Sequence, residues 1–93
     1  MFSISKSVRL TKSQDGGILL DTERGGIFSL NPVATRIVEL LGQEQSVSSL
    51  VAQIGREFGI SERLAPDVTS FLSTLRDERL LEDSEGNPPP AQQ

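Results

Sequence analysis

The sequence contains no cysteine and no histidine, and these two absences exclude much of the common chemistry of enzymes and metal sites. Without cysteine, the chain can form no disulfide, no thiolate nucleophile and no sulfur-ligated metal site. Without histidine, it lacks the commonest general base and the commonest metal ligand. We therefore expect no metal, no cofactor and no catalytic activity, which favours a binding function.

Aromatic residues and long apolar runs are also scarce. The 93 residues include four phenylalanines, no tryptophan and no tyrosine, and 35% of them are hydrophobic. A single domain of this length buries roughly 60–65% of the surface of its unfolded chain, so we expect one small core. No basic segment precedes a long apolar run, and no apolar run could span a membrane. We expect a soluble, cytoplasmic protein, and its net charge of −4 argues against binding to nucleic acid.

Three short segments in the first third of the chain have patterns typical of β-strands. Residues 7–12 (SVRLTK) alternate polar and apolar side chains, and residues 18–20 and 27–30 are short runs rich in β-favouring residues. The segments between them, 13–17 (SQDGG) and 22–26 (TERGG), have the glycine and aspartate content of tight turns. This pattern predicts a three-stranded antiparallel meander.

Two helices with marked ends follow the third strand. Asn31 is a preferred N-cap, and Pro32 suits the first helical position because the amide hydrogen that it lacks would be unpaired there anyway. Gly42 is predicted to end this helix in a left-handed conformation. Ser46 is the predicted N-cap of the second helix, and Gly59 its end. The apolar stripes of these helices are Val33, Ile37, Leu40 and Leu41, then Val47, Leu50, Val51, Ile54 and Phe58.

A third helix is predicted to begin near Ala65 with Pro66 at its first position, while a looser turn from Ser61 is the alternative. The pair Leu80-Leu81 is expected to fold back onto the core. Residues 1–83 then form one domain, and the acidic, proline-rich segment 84–93 is expected to be a disordered tail. The predicted fold class is α+β, in the order β-β-β-α-α-α. The apolar stripe of the third helix is Leu64, Val68, Phe71, Leu72 and Leu75.

The third predicted strand has an unusual composition for the edge of a sheet. Edge strands are usually protected by charge, proline or short length, yet residues 26–30 carry no charge. Ile27 lies on one face, and Phe28 and Leu30 lie on the other. Such a strand could accept a peptide as an additional strand, or it could be covered by the third helix of the same domain. The residues alone leave both interpretations open.

Carboxylates are the remaining candidates for chemistry. Asp21 and Glu23 lie near a predicted turn, and Asp67, Asp77 and Glu78 lie along the third helix. A pair of carboxylates can perform acid–base chemistry only where the environment separates their pKa values, and no such pocket is indicated here. We interpret these groups as solvated charges.

Taken in order, the chain resembles the PqqD-like family, whose members are the precursor-peptide recognition elements of pathways that make ribosomally synthesised, post-translationally modified peptides (RiPPs). The resemblance extends from about Val8 to Leu81. The matching residues are Leu20-Asp21, Gly25, Leu30-Asn31, Ser46-Val47, Phe58-Gly59, Asp67-Val68, Phe71-Leu72, Leu75 and Leu80-Leu81.

The resemblance implies a winged-helix-like domain that binds the leader of a precursor peptide between its third strand and third helix. The leader would add a β-strand, and the domain would present the peptide to a modifying enzyme, either a radical-SAM protein or a leader peptidase of the lasso type. No nucleic acid, membrane or cofactor is implied. The implied peptide-binding residues are Ile27, Phe28, Ser29 and Leu30 on the strand, and Asp67, Val68, Phe71, Thr74 and Leu75 on the helix.

Three departures from the family pattern concern the subtype. Members that serve pyrroloquinoline quinone (PQQ) synthesis usually carry a tryptophan in the strand region, and this chain has none. Lasso-peptide members often place an aromatic residue in the first helix, where Val38 stands here. The third helix normally leads into a Gly-Leu-Leu end, but Arg79 precedes Leu80 in this chain. The pathway therefore stays open.

Two alternatives share the predicted architecture. A winged-helix DNA-binding protein would need a basic recognition helix and a basic wing. Here Arg76 and Arg79 are offset by Asp67, Asp77 and Glu78, and the turn SQDGG has no positive charge. The second alternative is a general protein–protein adaptor that has no leader peptide as its ligand.

Overall fold

The computed structural model describes residues 1–83, which form five strands and three helices. A three-stranded antiparallel sheet in the order β2-β3-β4 is followed by three helices, as the sequence predicts. A second sheet, in which β1 pairs with β5, was not predicted. The predicted tail, 84–93, lies outside the described residues. The elements are β1 (Phe2–Ile4), β2 (Val8–Ser13), β3 (Gly16–Asp21), β4 (Ile27–Leu30), α1 (Pro32–Leu40), α2 (Val47–Phe58), α3 (Leu64–Asp77) and β5 (Leu81–Asp83).

The hairpin between β2 and β3 closes one residue earlier than an Asp-Gly turn would. Ser13 pairs with Gly16, so the two loop residues are Gln14 and Asp15. Gly16 is already the first residue of β3, with a φ of 141°. A side chain at Gly16 would overlap the backbone carbonyl of Leu30, so this position needs glycine for space as well as for its backbone angle.

The first two helices begin where the sequence predicts, each with a side-chain cap. The Asn31 side chain accepts a hydrogen bond from the amide of Ala34 at 2.7 Å. The Ser46 hydroxyl accepts one from the amide of Ser49 at 3.1 Å. Each cap satisfies one amide of the first turn, for which the helix offers no partner.

The predicted helix ends are confirmed for α2 and wrong for α1. Gly59 caps α2 with a φ of 102°, and its amide donates to the carbonyl of Gly55. The cap of α1 is Leu41, whose backbone is right-handed at φ −74°. Gly42 is not left-handed, because its amide instead donates to the carbonyl of Glu39 at 3.1 Å and tightens the last turn.

The start of α3 corrects the preferred prediction. The helix begins at Leu64, so Pro66 occupies its third position and not its first. The amide of Leu64 donates to the carbonyl of Ser61 at 3.2 Å, which makes a turn that leads into the helix. Proline is tolerated at the third position because the first four amides of a helix have no intrahelical partner.

The core lies between the inner face of the β2-β3-β4 sheet and the three helices. In α1 the buried residues include Thr35 and Val38, which the predicted stripe omitted, while Val33 and Leu40 are half-buried. Phe58 was assigned to the apolar stripe of α2, but 47% of it is exposed because it lies at the end of that helix. The fully packed core residues are Val8, Leu19, Ile37, Val38, Leu41, Leu50, Ile54, Val68, Leu72, Leu75 and Leu80.

The unpredicted sheet joins the two ends of the described chain. β1 pairs with β5 on one side, and on the other the backbone of Phe2 exchanges two hydrogen bonds with Gln45, at 2.7 and 2.8 Å. The amide of Ser5 donates to the carbonyl of Leu80 at 2.8 Å. Leu80 is buried, as expected, and Leu81 begins β5. Both strands have three residues, too few to show a period.

A chain of exposed ion pairs links the first hairpin to two helices. Lys12 of β2 lies 2.7 Å from Glu39 of α1, and Arg36 of α1 donates to both carboxylate oxygens of Glu57 in α2, at 2.8 and 3.0 Å. The hydrogen bond from Arg36 lowers the pKa of Glu57.

Within residues 1–83, no helix is long and apolar enough to cross a membrane.

Candidate functional site

Among residues 1–83, β4 forms an edge of the larger sheet and pairs with β3 on one side only. Its side chains alternate between the two faces of the sheet. Ile27 is 68% exposed and Ser29 is also exposed, whereas Phe28 and Leu30 are half-buried and pack against the core. Because Ile27 and Ser29 are exposed, the second interpretation that the sequence left open, a strand covered by the third helix, does not describe this edge.

The hydrogen-bond pattern identifies which backbone groups of β4 point away from the sheet. The amide of Asp21 donates to the carbonyl of Gly26 at 2.9 Å, so these two residues form a hydrogen-bonded pair. Hydrogen-bonded and non-hydrogen-bonded pairs alternate along an antiparallel ladder, so Phe28 also bonds to β3. Ile27 and Ser29 lie in the pairs between and direct their N–H and C=O groups outward.

A cavity of about 120 Å³ separates β4 from α3. Phe28 and Leu30 contribute to it from the strand, and Phe71 and Leu75 contribute from the helix. Its other apolar lining residues are Leu19 and Leu80, and its polar ones are Ser29, Thr74 and Glu78. The inner side of the free edge therefore borders an apolar cleft, which we name the β4–α3 cleft.

A larger cavity, of about 400 Å³, lies beyond the carboxyl end of β4, between α1, the end of α2 and the start of α3. Phe71 lines both cavities, so the two lie side by side along α3. Asn31 lines the larger one and directly follows the last residue of β4. The apolar residues of this cavity include Val33, Ile37, Ile54, Leu64 and Val68, with Phe58 also in its lining.

The structure divides the helix residues implied by the resemblance into buried and accessible groups. Val68 is 1% exposed and Leu75 is 2% exposed, so each belongs to the core and forms the floor of one cavity. Phe71 is half-buried and forms a wall of both cavities, and Thr74 is exposed and lines the cleft. Asp67 is exposed at the larger cavity.

Sequence reasoning missed Glu78 as a residue of the cleft. It had been interpreted only as a solvated charge, yet it lines the cleft together with Thr74 and Phe71. The signal was present in the sequence, because Asp67, Phe71, Thr74 and Glu78 follow the four-three-four spacing of one helical stripe.

Asp21 was also interpreted as solvated, but it is 4% exposed. Its carboxylate accepts hydrogen bonds from the amides of Glu23 and Arg24, at 3.0 and 3.2 Å. The amide of Gly25 donates to the Asp21 carbonyl at 2.7 Å. This aspartate fixes the turn that leads into β4, and it satisfies amides that the turn would otherwise leave unpaired.

Comparisons with known proteins agree on one family. The family model of coenzyme PQQ synthesis protein D (PqqD) matches residues 16–81. A search of curated proteins gives no match. The solved structure of TbiB1 in complex with the TbiA(beta) leader peptide is 30% identical to this chain, with a TM-score of 0.75, over 86% of this chain and 94% of that one.

Two further solved structures share the fold. One is lasso peptide synthetase B1 complexed with the leader peptide, at 21% identity and a TM-score of 0.71, over 88% of this chain and 98% of that one. The other is the PqqD truncation of Methylobacterium extorquens PqqCD, described as a functional and stand-alone RiPP recognition element. It is 24% identical with a TM-score of 0.71, and 88% of each chain is covered.

Proposed function

The chain belongs to the PqqD family, and from this premise we propose that it binds the leader segment of a ribosomally synthesised precursor peptide. The observation that carries the proposal is the free edge of β4, where the backbone groups that Ile27 and Ser29 direct away from the sheet have no partner within residues 1–83. The leader adds there as a fourth strand, and its backbone supplies the partners that these groups lack.

Side chains of an added strand alternate between the two faces of the sheet. Leader residues opposite Phe28 and Leu30 project to the inner face, toward the β4–α3 cleft and Phe71. Leader residues opposite Ile27 and Ser29 project outward. We expect the main-chain bonds to supply much of the affinity and the two inward side chains to supply the specificity.

The similar structures support a leader peptide as the ligand. TbiB1, which shares 30% of its residues with this chain, is solved with a leader peptide bound, and a lasso peptide synthetase B1 is solved with its leader. The proposal extends to a non-catalytic role, in which the domain presents the leader-bound precursor to a modifying enzyme. That enzyme is a radical-SAM protein or a leader peptidase.

The DNA-binding alternative gains no support from α3. Arg63, which precedes the helix, lies 3.6 Å from Asp67, and Arg76 lies 3.5 Å from Asp77. Because each arginine has a carboxylate beside it, the helix presents no uncompensated basic surface of the kind that contacts phosphates.

The proposal is tested by selection from a library of random peptides about a dozen residues long, displayed on phage and captured on the immobilised domain. We expect enriched peptides whose backbones pair in solution with the outward amides of Ile27 and Ser29. The pairing is measured as slowed hydrogen exchange of those two amides. If no peptide is enriched, or if the enriched peptides leave both amides unprotected, the proposal is wrong.

A further inference from the structure

The β4–α3 cleft has one charged residue in its lining. Of the described residues in its lining, six are apolar, two carry hydroxyls, and Glu78 alone is ionisable. Glu78 is exposed, and it has no ion-pair partner within residues 1–83. By contrast, Asp67 at the larger cavity already lies beside Arg63. The cleft therefore combines apolar walls with a single negative charge that forms no ion pair with another described residue.

The position of Glu78 at the end of α3 reinforces its preference for a cation. Glu78 is the C-cap of the helix, where the backbone dipoles place a partial negative charge. A carboxylate is unfavourable at that end of a helix, whereas a cation is favourable. The basic residue of the last turn, Arg76, lies beside Asp77 and does not line the cleft. The Glu78 carboxylate and the carboxyl end of α3 therefore both attract a cation to the same place.

We propose that the β4–α3 cleft binds a lysine or arginine side chain of the leader peptide, an inference that rests on the proposed function. The aliphatic stem of such a side chain packs between Phe28 and Phe71, and its cationic head reaches Glu78. A purely apolar side chain would pack against the walls of the cleft but would leave the Glu78 carboxylate without a partner.

The geometry of the β4–α3 cleft also determines the position of the basic residue within the leader sequence. Phe71 also lines the larger cavity, which lies beyond the carboxyl end of β4, so Phe71 is at the Leu30 end of the cleft. Glu78 lines only the cleft and follows Phe71 by seven residues, about two turns along α3. The leader residue opposite Leu30 therefore lies near Phe71, and the one opposite Phe28 lies near Glu78. These two inward positions are two residues apart. In an antiparallel leader the basic residue follows an apolar one by two positions, and in a parallel leader it precedes it by two.

The selection with random displayed peptides tests this inference when it is repeated with two charge-reversal variants. Glu78→Lys places a positive charge in the cleft, and Asp77→Lys makes the same change of charge one residue earlier, outside the cleft. We expect the unmodified domain and Asp77→Lys to enrich peptides with lysine or arginine two positions from an apolar residue. Glu78→Lys should lose that enrichment and favour aspartate or glutamate at the same position.

Titration of one enriched peptide completes the test. Its affinity should fall about three- to tenfold for Glu78→Gln and should be nearly unchanged for Asp77→Asn, and the difference should shrink at high salt. Peptides that bind the β4 edge without any preference for a basic residue, or a preference that survives Glu78→Lys, would overturn this inference and leave the proposed function intact. Failure of all peptides to bind the edge would instead overturn the proposed function.

Discussion

Phe28 on β4 and Phe71 on α3 line the same cavity from its two walls, and each is half-buried. Both also pack against the core cluster. The same two rings thus contribute to the stability of the domain and form the surface that a peptide would meet. Truncation of either ring should therefore lower both stability and affinity, whereas truncation of a core residue outside the cavity should lower stability alone.

Phe71→Ala should weaken both peptide binding and the fold. A fully buried phenylalanine costs about 3–5 kcal/mol when truncated to alanine, and Phe71 is only half-buried, so we expect a loss of about 2 kcal/mol. Because Phe71 forms a wall of both cavities, its truncation should lower the affinity for a selected peptide by at least about tenfold. Urea unfolding and a fluorescence titration measure the two effects.

Leu72→Ala is the matched control on the same helix. Leu72 is 5% exposed and lines neither cavity, so its truncation should cost about 2–5 kcal/mol and leave affinity for the peptide nearly unchanged while the domain is folded. If Leu72→Ala weakened binding as much as Phe71→Ala, the assignment of Phe71 to the peptide surface would fail.

Gly16→Ala should destabilise the sheet far more than Gly25→Ala, although both glycines have positive φ. Gly25 has no atom near the position of an added Cβ, so alanine there should cost about 1 kcal/mol of backbone strain. At Gly16 the Cβ would also overlap the carbonyl of Leu30 at the end of β4, which raises the cost to about 2–3 kcal/mol. Thermal unfolding of the two variants compares them, and equal melting temperatures would refute the steric argument.

Arg79→Gly should stabilise the domain. Arg79 is the only residue other than glycine with positive φ among the described residues, at 62°, directly after the cap of α3. Glycine adopts this left-handed position without the penalty of a Cβ, so we expect a gain of about 1 kcal/mol, or about 4–8 °C in Tm. Arg79→Ala removes the same charge and keeps the Cβ, and it should give no such gain. If both variants gained equally, charge and not backbone strain would be responsible.

The parts of the fold that the sequence predicts are those set by local chemistry. Asn31, Ser46 and Gly59 mark helix ends because their side chains or backbone freedom act within one turn. Gly42 misled the prediction, because Leu41 closes α1 with a right-handed backbone and a tightened last turn, which needs no glycine. The β1–β5 sheet joins residues about eighty positions apart in three-residue strands, and no local pattern encodes such a pairing.

The candidate site was predictable in outline for a different reason. An uncharged strand beside a helix makes a free edge one of two possible interpretations, but the outward or inward direction of each amide depends on how β4 pairs with β3. The sequence does not distinguish Glu78 from the other exposed carboxylates, because only the packing of α3 beside β4 places Glu78 in the lining of the cleft. Register and helix orientation are tertiary properties, and a single sequence does not report them.

Proline substitution along β4 tests the central claim, because the two variants differ in the direction of the lost N–H. The amide of Phe28 bonds to β3, so Phe28→Pro should break the ladder and destabilise or unfold the sheet. The amide of Ser29 points outward, so Ser29→Pro should leave the fold intact and remove a donor that an added strand needs. Ser29→Ala keeps the amide and serves as the control.

The most direct measurement is the affinity of Ser29→Pro for a peptide selected on the unmodified domain, with circular dichroism confirming that the variant is folded. Strand addition at β4 predicts that Ser29→Pro has a native spectrum and an affinity lower by at least about tenfold. Ser29→Ala should bind the peptide as tightly as the unmodified domain does. A folded Ser29→Pro variant that binds the peptide with undiminished affinity would contradict the account.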